Sequence, residues 1–159
     1  MDALLKLLKS NSHIPAEDLA KELNLSTDEV TARIEAFEKA GVILGYQAIL
    51  DSDKTGDNSV TAVIEVKITP ERGGGFDRLA SRIAQFDEVQ SCYLMSGGYD
   101  LLVIAESTNL QAIATFIAEK LSTIKGVIAT ATHFRLKAYK ENGVLLRRTQ
   151  REPRLAVAP

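Results

Sequence analysis

The sequence predicts an α+β protein in which a small helical domain precedes a βαββαβ domain. Within the first 45 residues, apolar side chains recur mainly at helical spacing. Farther along the chain, segments with strand periodicity alternate with segments of helix periodicity. Between the two parts lies a polar, turn-rich stretch at residues 51–59, which we interpret as a linker.

Composition excludes several classes of protein. The chain has 159 residues, of which 45% are apolar and 25% charged, so it has enough apolar side chains for a core and is not disordered throughout. No apolar run approaches the roughly 18 residues that cross a bilayer, which predicts no membrane partner. The first residues lack the features of a signal peptide, and Cys92 is the single cysteine, so we expect a cytoplasmic protein. Two distant histidines, His13 and His133, make no metal-ligand cluster, and we expect neither a metal nor a cofactor.

Charge is distributed unevenly along the chain. Residues 1–45 carry 5 basic and 8 acidic groups, whereas residues 133–159 carry 7 basic and 2 acidic groups. The basic excess at the C-terminal end is typical either of a solvated tail or of a contact with nucleic acid or with another subunit. Both interpretations remain open at this stage.

Two short helices are predicted at the start of the chain. The first has an apolar face made of Leu4, Leu5, Leu7 and Leu8 and ends at the polar residues 10–12. Pro15 is expected at the first position of the second helix, where a missing N–H costs nothing. Asn24 follows that helix and tolerates the left-handed conformation of a tight turn.

A third helix begins after a short turn. Ser26 and Glu29 form a capping-box pattern, in which each side chain satisfies a free N–H at the helix start. Val30, Ile34 and Phe37 then share one face, and Gly41 is expected just past the helix end. Two helices joined by so short a turn are typical of a helix-turn-helix, although ordinary helix pairs in bundles look similar.

If the pair is a helix-turn-helix, its second helix enters the DNA major groove with the side chains near its N-terminus. The candidate DNA-binding residues on or beside that exposed face are Ser26, Thr27, Thr31 and Arg33. The helix is acidic overall, and neutralisation of phosphates supplies most non-specific affinity, so one copy should bind DNA weakly. Two or more linked copies would compensate by avidity.

The next segment, residues 42–50, is β-prone, and it leads into the linker. Strand alternation follows over residues 60–68, then a helical stripe over 76–84 after a loop at 70–75.

The rest of the chain continues the alternation. Strand-like segments at 89–95 and 101–105 are joined by a tight turn at Ser96-Gly97-Gly98, which predicts a hairpin. A capping-box pattern at 108–111 begins a helix, and a strand runs over 127–136. This βαββαβ order gives a four-stranded antiparallel sheet with both helices on one face, the ferredoxin-like arrangement. Because the other face needs cover, we expect at least a dimer.

Several motifs together resemble the Lrp/AsnC (feast/famine) family of transcription regulators. The residues that carry the resemblance are Asp18-Leu19-Ala20, Leu25-Ser26, Val30, Arg33-Ile34, Gly41-Val42-Ile43, Gly45-Tyr46, Gly97-Gly98-Tyr99-Asp100-Leu101-Leu102 and Thr130-Ala131-Thr132. The resemblance covers residues 2–139. It implies a winged or other helix-turn-helix domain at 1–45, a linker strand and loop at 46–59, a ferredoxin-like (RAM-type) domain at 60–139 and a C-terminal extension at 140–159.

The family resemblance also implies function. The N-terminal domain would bind double-stranded DNA, and the C-terminal domain would bind a small effector, usually an amino acid, where dimers meet in an octamer or other multimer. The effector-binding candidates are Gly97, Gly98, Tyr99, Asp100, Thr130 and Thr132. Open backbone N–H groups at the glycines suit a carboxylate, Asp100 suits an ammonium group, and the threonines add hydroxyls.

Other interpretations remain open. In the simplest, the glycines make a turn, Tyr99 packs and Asp100 caps. The acidic third helix also fits a metabolite-sensing or assembly module with the same architecture that binds no DNA. An enzyme is not expected, because His133 is the only histidine of the C-terminal domain and no acid/base pair accompanies it. In the extension, Leu155-Ala156-Val157 is expected to add a strand or to pack on a neighbouring subunit.

Overall fold

The computed structural model describes residues 1–56, 58–69 and 75–146. The chain forms two compact units, one comprising Met1–Ala48 and the other beginning at Ile49. Most of the predicted loop at 70–75, the arginines beyond position 146 and the predicted strand at 155–157 lie outside the described residues.

The helical unit consists of three α-helices: α1 (Ala3–Ser10), α2 (Ala16–Leu23) and α3 (Thr27–Lys39). Its core contains Leu4, Leu8, Leu19, Ala20 and Val30, against which Ile34 and Phe37 pack in part. The apolar stripes expected from the sequence therefore face one another. One boundary differs from the expectation: Pro15 is the N-cap of α2, with an extended ψ of 143°, and the helix begins one residue later.

Two helix ends in this unit are closed by left-handed residues. Asn24 has φ 52°, and the N–H of Leu25 donates to the Ala20 carbonyl at 2.9 Å. Gly41 has φ 68°, and the N–H of Val42 donates to the Phe37 carbonyl at 2.9 Å. Both ends show the Schellman pattern, which turns the chain sharply while satisfying free carbonyl groups.

The predicted strand within residues 42–50 is not formed in the single chain. A strand requires a neighbour with which to exchange hydrogen bonds, and none of the described strands pairs with this segment. Instead, Leu44 is 92% exposed and Tyr46 is half exposed. The Tyr46 hydroxyl donates to Glu38 Oε1 at 2.9 Å, which raises the pKa of Tyr46.

The second unit confirms the ferredoxin-like arrangement. Its elements are a short helix α4 (Ser52–Thr55), β1 (Val60–Ile68), α5 (Asp77–Ile83), β2 (Val89–Leu94), β3 (Leu101–Ser107), α6 (Leu110–Thr115) and β4 (Val127–Phe134). The four strands form one antiparallel sheet in the order β2-β3-β1-β4. Helix α6 continues as a π-helical segment, Phe116–Leu121.

One face of this sheet carries the core. Buried strand residues such as Ile64, Val66 and Val103 pack with Ile83 and Phe116 from the helical segments. This is the helix-covered face, and the other is the open face. Directly opposed residues in antiparallel strands share a face, so the strand register shows on which of the two faces each strand residue lies. Strand β1 lies between β3 and β4, so its register positions the residues on both strands that the sequence analysis named as effector-binding candidates.

Three local features differ from the sequence-based expectations. Residues 95–100 connect Leu94 to its partner Leu101, so the turn between β2 and β3 is longer than the predicted tight turn. The N-cap before α6 is Asn109, whose side chain accepts from the Ala112 N–H at 2.8 Å, and not Thr108. Beyond β4, a further small hairpin pairs β5 (Lys140–Glu141) with β6 (Val144–Leu145).

The described residues contain neither a membrane-spanning helix nor a cluster of metal ligands. No helix there is long and apolar enough to span a bilayer. Likewise, the described part of the chain holds no group of three or more His, Cys, Asp or Glu side chains suited to a metal ion.

Candidate nucleic-acid interface and effector site

The start of α3 is an exposed, fully formed capping box. The Ser26 N–H donates to Glu29 Oε2 at 2.9 Å, and the Glu29 N–H donates to the Ser26 hydroxyl oxygen at 3.2 Å. The Ser26 hydroxyl also donates to Glu29 Oε2 at 2.9 Å. These bonds from Ser26 lower the pKa of Glu29, with a smaller contribution from the charge of Arg33. Ser26 therefore has a structural role as the cap at the exposed start of α3.

The other three candidate DNA-binding residues are exposed as well. Thr27 and Thr31 occupy successive turns, and the Thr31 hydroxyl donates to the Thr27 carbonyl at 3.0 Å. That bond uses the hydroxyl proton and leaves the oxygen able to accept. Arg33 is exposed on the same helix, whereas Val30 is fully buried. Because successive residues turn by about 100° around a helix, Thr31 and Arg33 lie on opposite sides of the buried Val30 and do not share one face.

A shallow depression at the start of α3 includes residues that were not among the sequence-predicted candidates. It is lined by residues of α2, of the turn and of the start of α3, namely Glu17, Ala20, Lys21, Asn24, Leu25, Ser26 and Thr27. Lys21 is 76% exposed at its side chain and pairs with Asp18 at 3.1 Å. In a helix-turn-helix the first helix of the pair crosses the DNA backbone. Lys21 could have been found in the sequence from its position on α2, three residues after Asp18.

At the other candidate site, residues 95–100 present glycine backbone to solvent. Gly97 has φ 144°, which L side chains rarely adopt, and a Cβ added to Gly97 or Gly98 would meet nothing within 4 Å. Both glycines are exposed, and Tyr99 is half-buried beside them. The turn is therefore open to a ligand on its glycine side.

Asp100 fastens this turn to the central strand. Its N–H donates to the Val66 carbonyl at 3.0 Å, and its carbonyl accepts from the Met95 N–H at 2.8 Å. Its carboxylate Oδ2 accepts from the Ile68 N–H at 2.8 Å. Ile68 lies on β1 beyond Val66, the last residue of that strand that pairs with β3. Asp100 thus caps the end of the sheet through Oδ2, which agrees with the simpler interpretation of this residue.

The two candidate threonines are half-buried on the edge strand β4. Thr130 is directly opposite Val66, and Thr132 is opposite Ile64, so both side chains belong to the helix-covered face. Thr130 and the 95–100 turn lie at the same end of the sheet, but on either side of β1. Because neighbouring strands are about 4.8 Å apart, Thr130 is two spacings, roughly 10 Å, from the start of β3. Within one chain, β1 therefore separates Thr130 from the 95–100 turn.

The open face of the sheet is partly apolar. Val63, Leu102 and Ile104 are half-buried there, and Tyr93 is 50% exposed. His133 Nε2 lies 3.4 Å from Glu65 Oε1 on the same face, a charged contact when the histidine is protonated.

Comparison with known families identifies the two units. A model described as the Lrp/AsnC ligand binding domain matches residues 61–145, and a winged helix-turn-helix DNA-binding model matches residues 3–43. The chain belongs to the Lrp/AsnC family. It is therefore a transcriptional regulator with a helix-turn-helix domain and a ligand-binding domain.

Individual Lrp/AsnC proteins match over nearly their whole length. The chain is 43% identical over 157 residues to the HTH-type transcriptional regulator YugG of Bacillus subtilis, covering 98% of this chain and 95% of that one. It is 33% identical to a proline dehydrogenase transcriptional activator of Rhodobacter capsulatus, covering 87% and 89%. A solved structure of a Neisseria meningitidis transcriptional regulator in complex with L-Met has a TM-score of 0.69 at 26% identity, covering 89% and 93%. Members of the family are named as transcriptional regulators and not as enzymes.

Proposed function

We propose that the chain regulates transcription in the cytoplasm by reading double-stranded DNA with α3 and sensing an amino acid at the end of its sheet. In this proposal residues 1–45 bind DNA, residues 46–59 connect, residues 60–139 bind the effector and mediate assembly, and residues 140–159 extend the second domain. The exposed start of α3, with its core face turned inward, is the observation that carries the DNA-binding part.

The residues assigned to DNA recognition are Ser26, Thr27, Thr31 and Arg33. Lys21 is assigned to contact a phosphate group of the DNA backbone. Arg33 supplies the strongest contact, because a guanidinium donates in pairs to guanine or to phosphate. The hydroxyl groups add single hydrogen bonds.

This assignment is tested with labelled DNA from upstream of the protein's own gene. Arg33→Ala is expected to weaken binding in fluorescence anisotropy by about tenfold or more, as for the loss of a bidentate contact of roughly 1–3 kcal/mol. Arg82→Ala, at an exposed position on α5, is the matched control and should bind as the wild type does. Equal affinities for all three proteins would contradict the proposal and favour the module that senses metabolites without DNA.

The effector proposal concerns Gly97, Gly98, Tyr99, Asp100, Thr130 and Thr132. An amino acid carries a carboxylate for the open glycine backbone and an ammonium group for the Asp100 carboxylate, whose Oδ1 is not used in the bond to Ile68. The Neisseria relative crystallised with L-Met supports an amino acid as the ligand class. The distance across β1 favours a site completed by a second copy of the chain.

A thermal-shift screen of the twenty amino acids tests this part, with L-methionine first. A ligand that binds the folded form raises the melting temperature. Thr130→Val should reduce that shift, whereas Thr115→Val, at an exposed helical position, should not. If no amino acid changes the melting temperature, or if both variants respond alike, the assignment is wrong.

Assembly is proposed to begin with a homodimer through the open sheet face and to proceed to an octamer or another multimer of dimers. The half-buried apolar side chains and exposed Tyr93 of that face support it, since such a patch is normally covered. Tyr93→Lys should lower the mass measured by light scattering after size exclusion. An unchanged mass would assign the contact to another surface.

A further inference from the structure

The side of α3 opposite its core contacts carries two residues that are not yet assigned to DNA recognition. Val30 is buried in the core of the helical unit, and Ile34 and Phe37 pack against that core. Because successive residues turn by about 100° around a helix, Asp28 and Ala32 each lie about 160° from Val30. Both residues are exposed. Within the first two turns of α3, they are therefore the residues directed most nearly away from the core.

The carboxylate of Asp28 is free to accept hydrogen bonds. It makes no hydrogen bond or ion pair with the described residues, whereas the neighbouring carboxylate of Glu29 is bonded to Ser26. An acidic side chain in the first turn of a helix is stabilised by the helix dipole, which is the simplest role for Asp28. That role leaves both carboxylate oxygens available to a ligand that donates hydrogen bonds.

The major groove offers partners for both side chains. In a helix-turn-helix the second helix enters this groove, and its N-terminal residues meet the base edges. Cytosine presents only an amino donor there, which suits a carboxylate, and thymine presents a methyl group, which suits alanine. Asp28 and Ala32 are four residues apart, about 6 Å along the helix axis. Since successive base pairs are about 3.4 Å apart, the two residues reach base pairs one or two steps from each other.

We propose that Asp28 and Ala32 determine part of the base preference of this protein, an inference that rests on the proposed DNA-binding function. Asp28 accepts a hydrogen bond from the N4 amino group of a cytosine. Ala32 contacts the methyl group of a thymine one or two base pairs away. A carboxylate is repelled by the DNA phosphates, so Asp28 weakens binding wherever no amino group compensates. The acidic α3 thereby favours selectivity over non-specific affinity.

The test is a selection of binding sequences from a randomised double-stranded DNA library by the full chain. The wild type should select cytosine and thymine one or two positions apart. In fluorescence anisotropy, replacing that C·G pair should weaken binding by about tenfold, as for one mismatched base pair. Asp28→Asn should change the selected base at this position from cytosine to adenine, because an amide bonds to both N6 and N7 of adenine.

Three further variants separate base contact from charge and folding. Asp28→Ala should lose the preference for cytosine without selecting adenine. Ala32→Ser should weaken the preference for thymine and leave the cytosine position unchanged. Asp77→Asn makes the same chemical change at an exposed position in the first turn of α5, in the other unit, and should select the wild-type sequence.

The outcomes distinguish this inference from the proposed function. It is overturned if both Asp28 variants select the wild-type sequence, or if they only raise the affinity for all sequences alike, which is an effect of charge. In that case a loss of binding in Arg33→Ala would still support DNA recognition by α3. If the wild type selects no sequence at all, the proposed function and this inference are both wrong.

Discussion

Five buried side chains make the core of the helical unit, whereas thirteen do so in the sheet unit, counted over the residues that the structure describes. A small core stabilises a domain only marginally. The helical unit accordingly depends on caps such as the Ser26–Glu29 box and on left-handed ends at Asn24 and Gly41. The sheet unit depends on pairing between distant strands. Local changes should therefore matter most in the first unit, and core or register changes in the second.

The largest expected effect comes from the core of the sheet unit. Phe116 is 1% exposed, and its ring packs edge-on against Phe86 at 5.6 Å between centroids. Phe116→Ala should lower the free energy of unfolding by about 3–5 kcal/mol, measured by urea denaturation. Leu110→Ala, at a 56% exposed position at the start of α6, is the control and should change little. Similar losses for both variants would mean that Phe116 is not a core residue.

A backbone change in the 95–100 turn should have a smaller effect. Gly97 adopts φ 144°, so Gly97→Ala strains the backbone and should cost about 1–3 kcal/mol although the added Cβ meets no atom. Gly98 is equally open but does not have a positive φ, which makes Gly98→Ala a matched control. Equal unfolding free energies for the two variants would argue against the left-handed geometry of this turn.

In the helical unit, removal of the cap on α3 tests the importance of local signals. Ser26→Ala loses the acceptor for the Glu29 N–H and should cost about 1 kcal/mol in urea denaturation. Thr27→Ala, at the next exposed position, is the stability control. If the two substitutions had the same effect, the capping box would contribute little to the stability of this unit.

The smallest effect should be a pH dependence from the same box. Bonds from Ser26 lower the pKa of Glu29 below its ordinary 4.5 in the folded protein. Its contribution is therefore present above pH 4.5 and is lost as the pH falls through the lowered pKa. Glu29→Gln should melt below the wild type near neutral pH, with the difference shrinking in acid. A difference between Glu29→Gln and the wild type that stays constant as the pH falls would exclude this linkage.

Much of the helical unit was predictable from the sequence because its signals act over a few residues. The capping box joins positions three apart, and Asn24 and Gly41 need only their own backbone preference. The order of strands and helices in the sheet unit was also predictable from periodicity, and with it the ferredoxin-like arrangement. Lys21 was missed because its place beside the start of α3 depends on how α2 packs.

The sequence by itself thus determined the helix ends at Asn24 and Gly41, the order of the elements and the family to which the chain is similar. Only the tertiary structure decided that Asp100 accepts the N–H of Ile68, 32 positions away, and that Thr130 lies across β1 from the turn. It also decided that residues 42–50 form no strand in the single chain and that the Thr61 hydroxyl is buried without a partner among the described residues. These outcomes depend on which strands become neighbours, and a strand's hydrogen bonds are made with residues that no local pattern specifies.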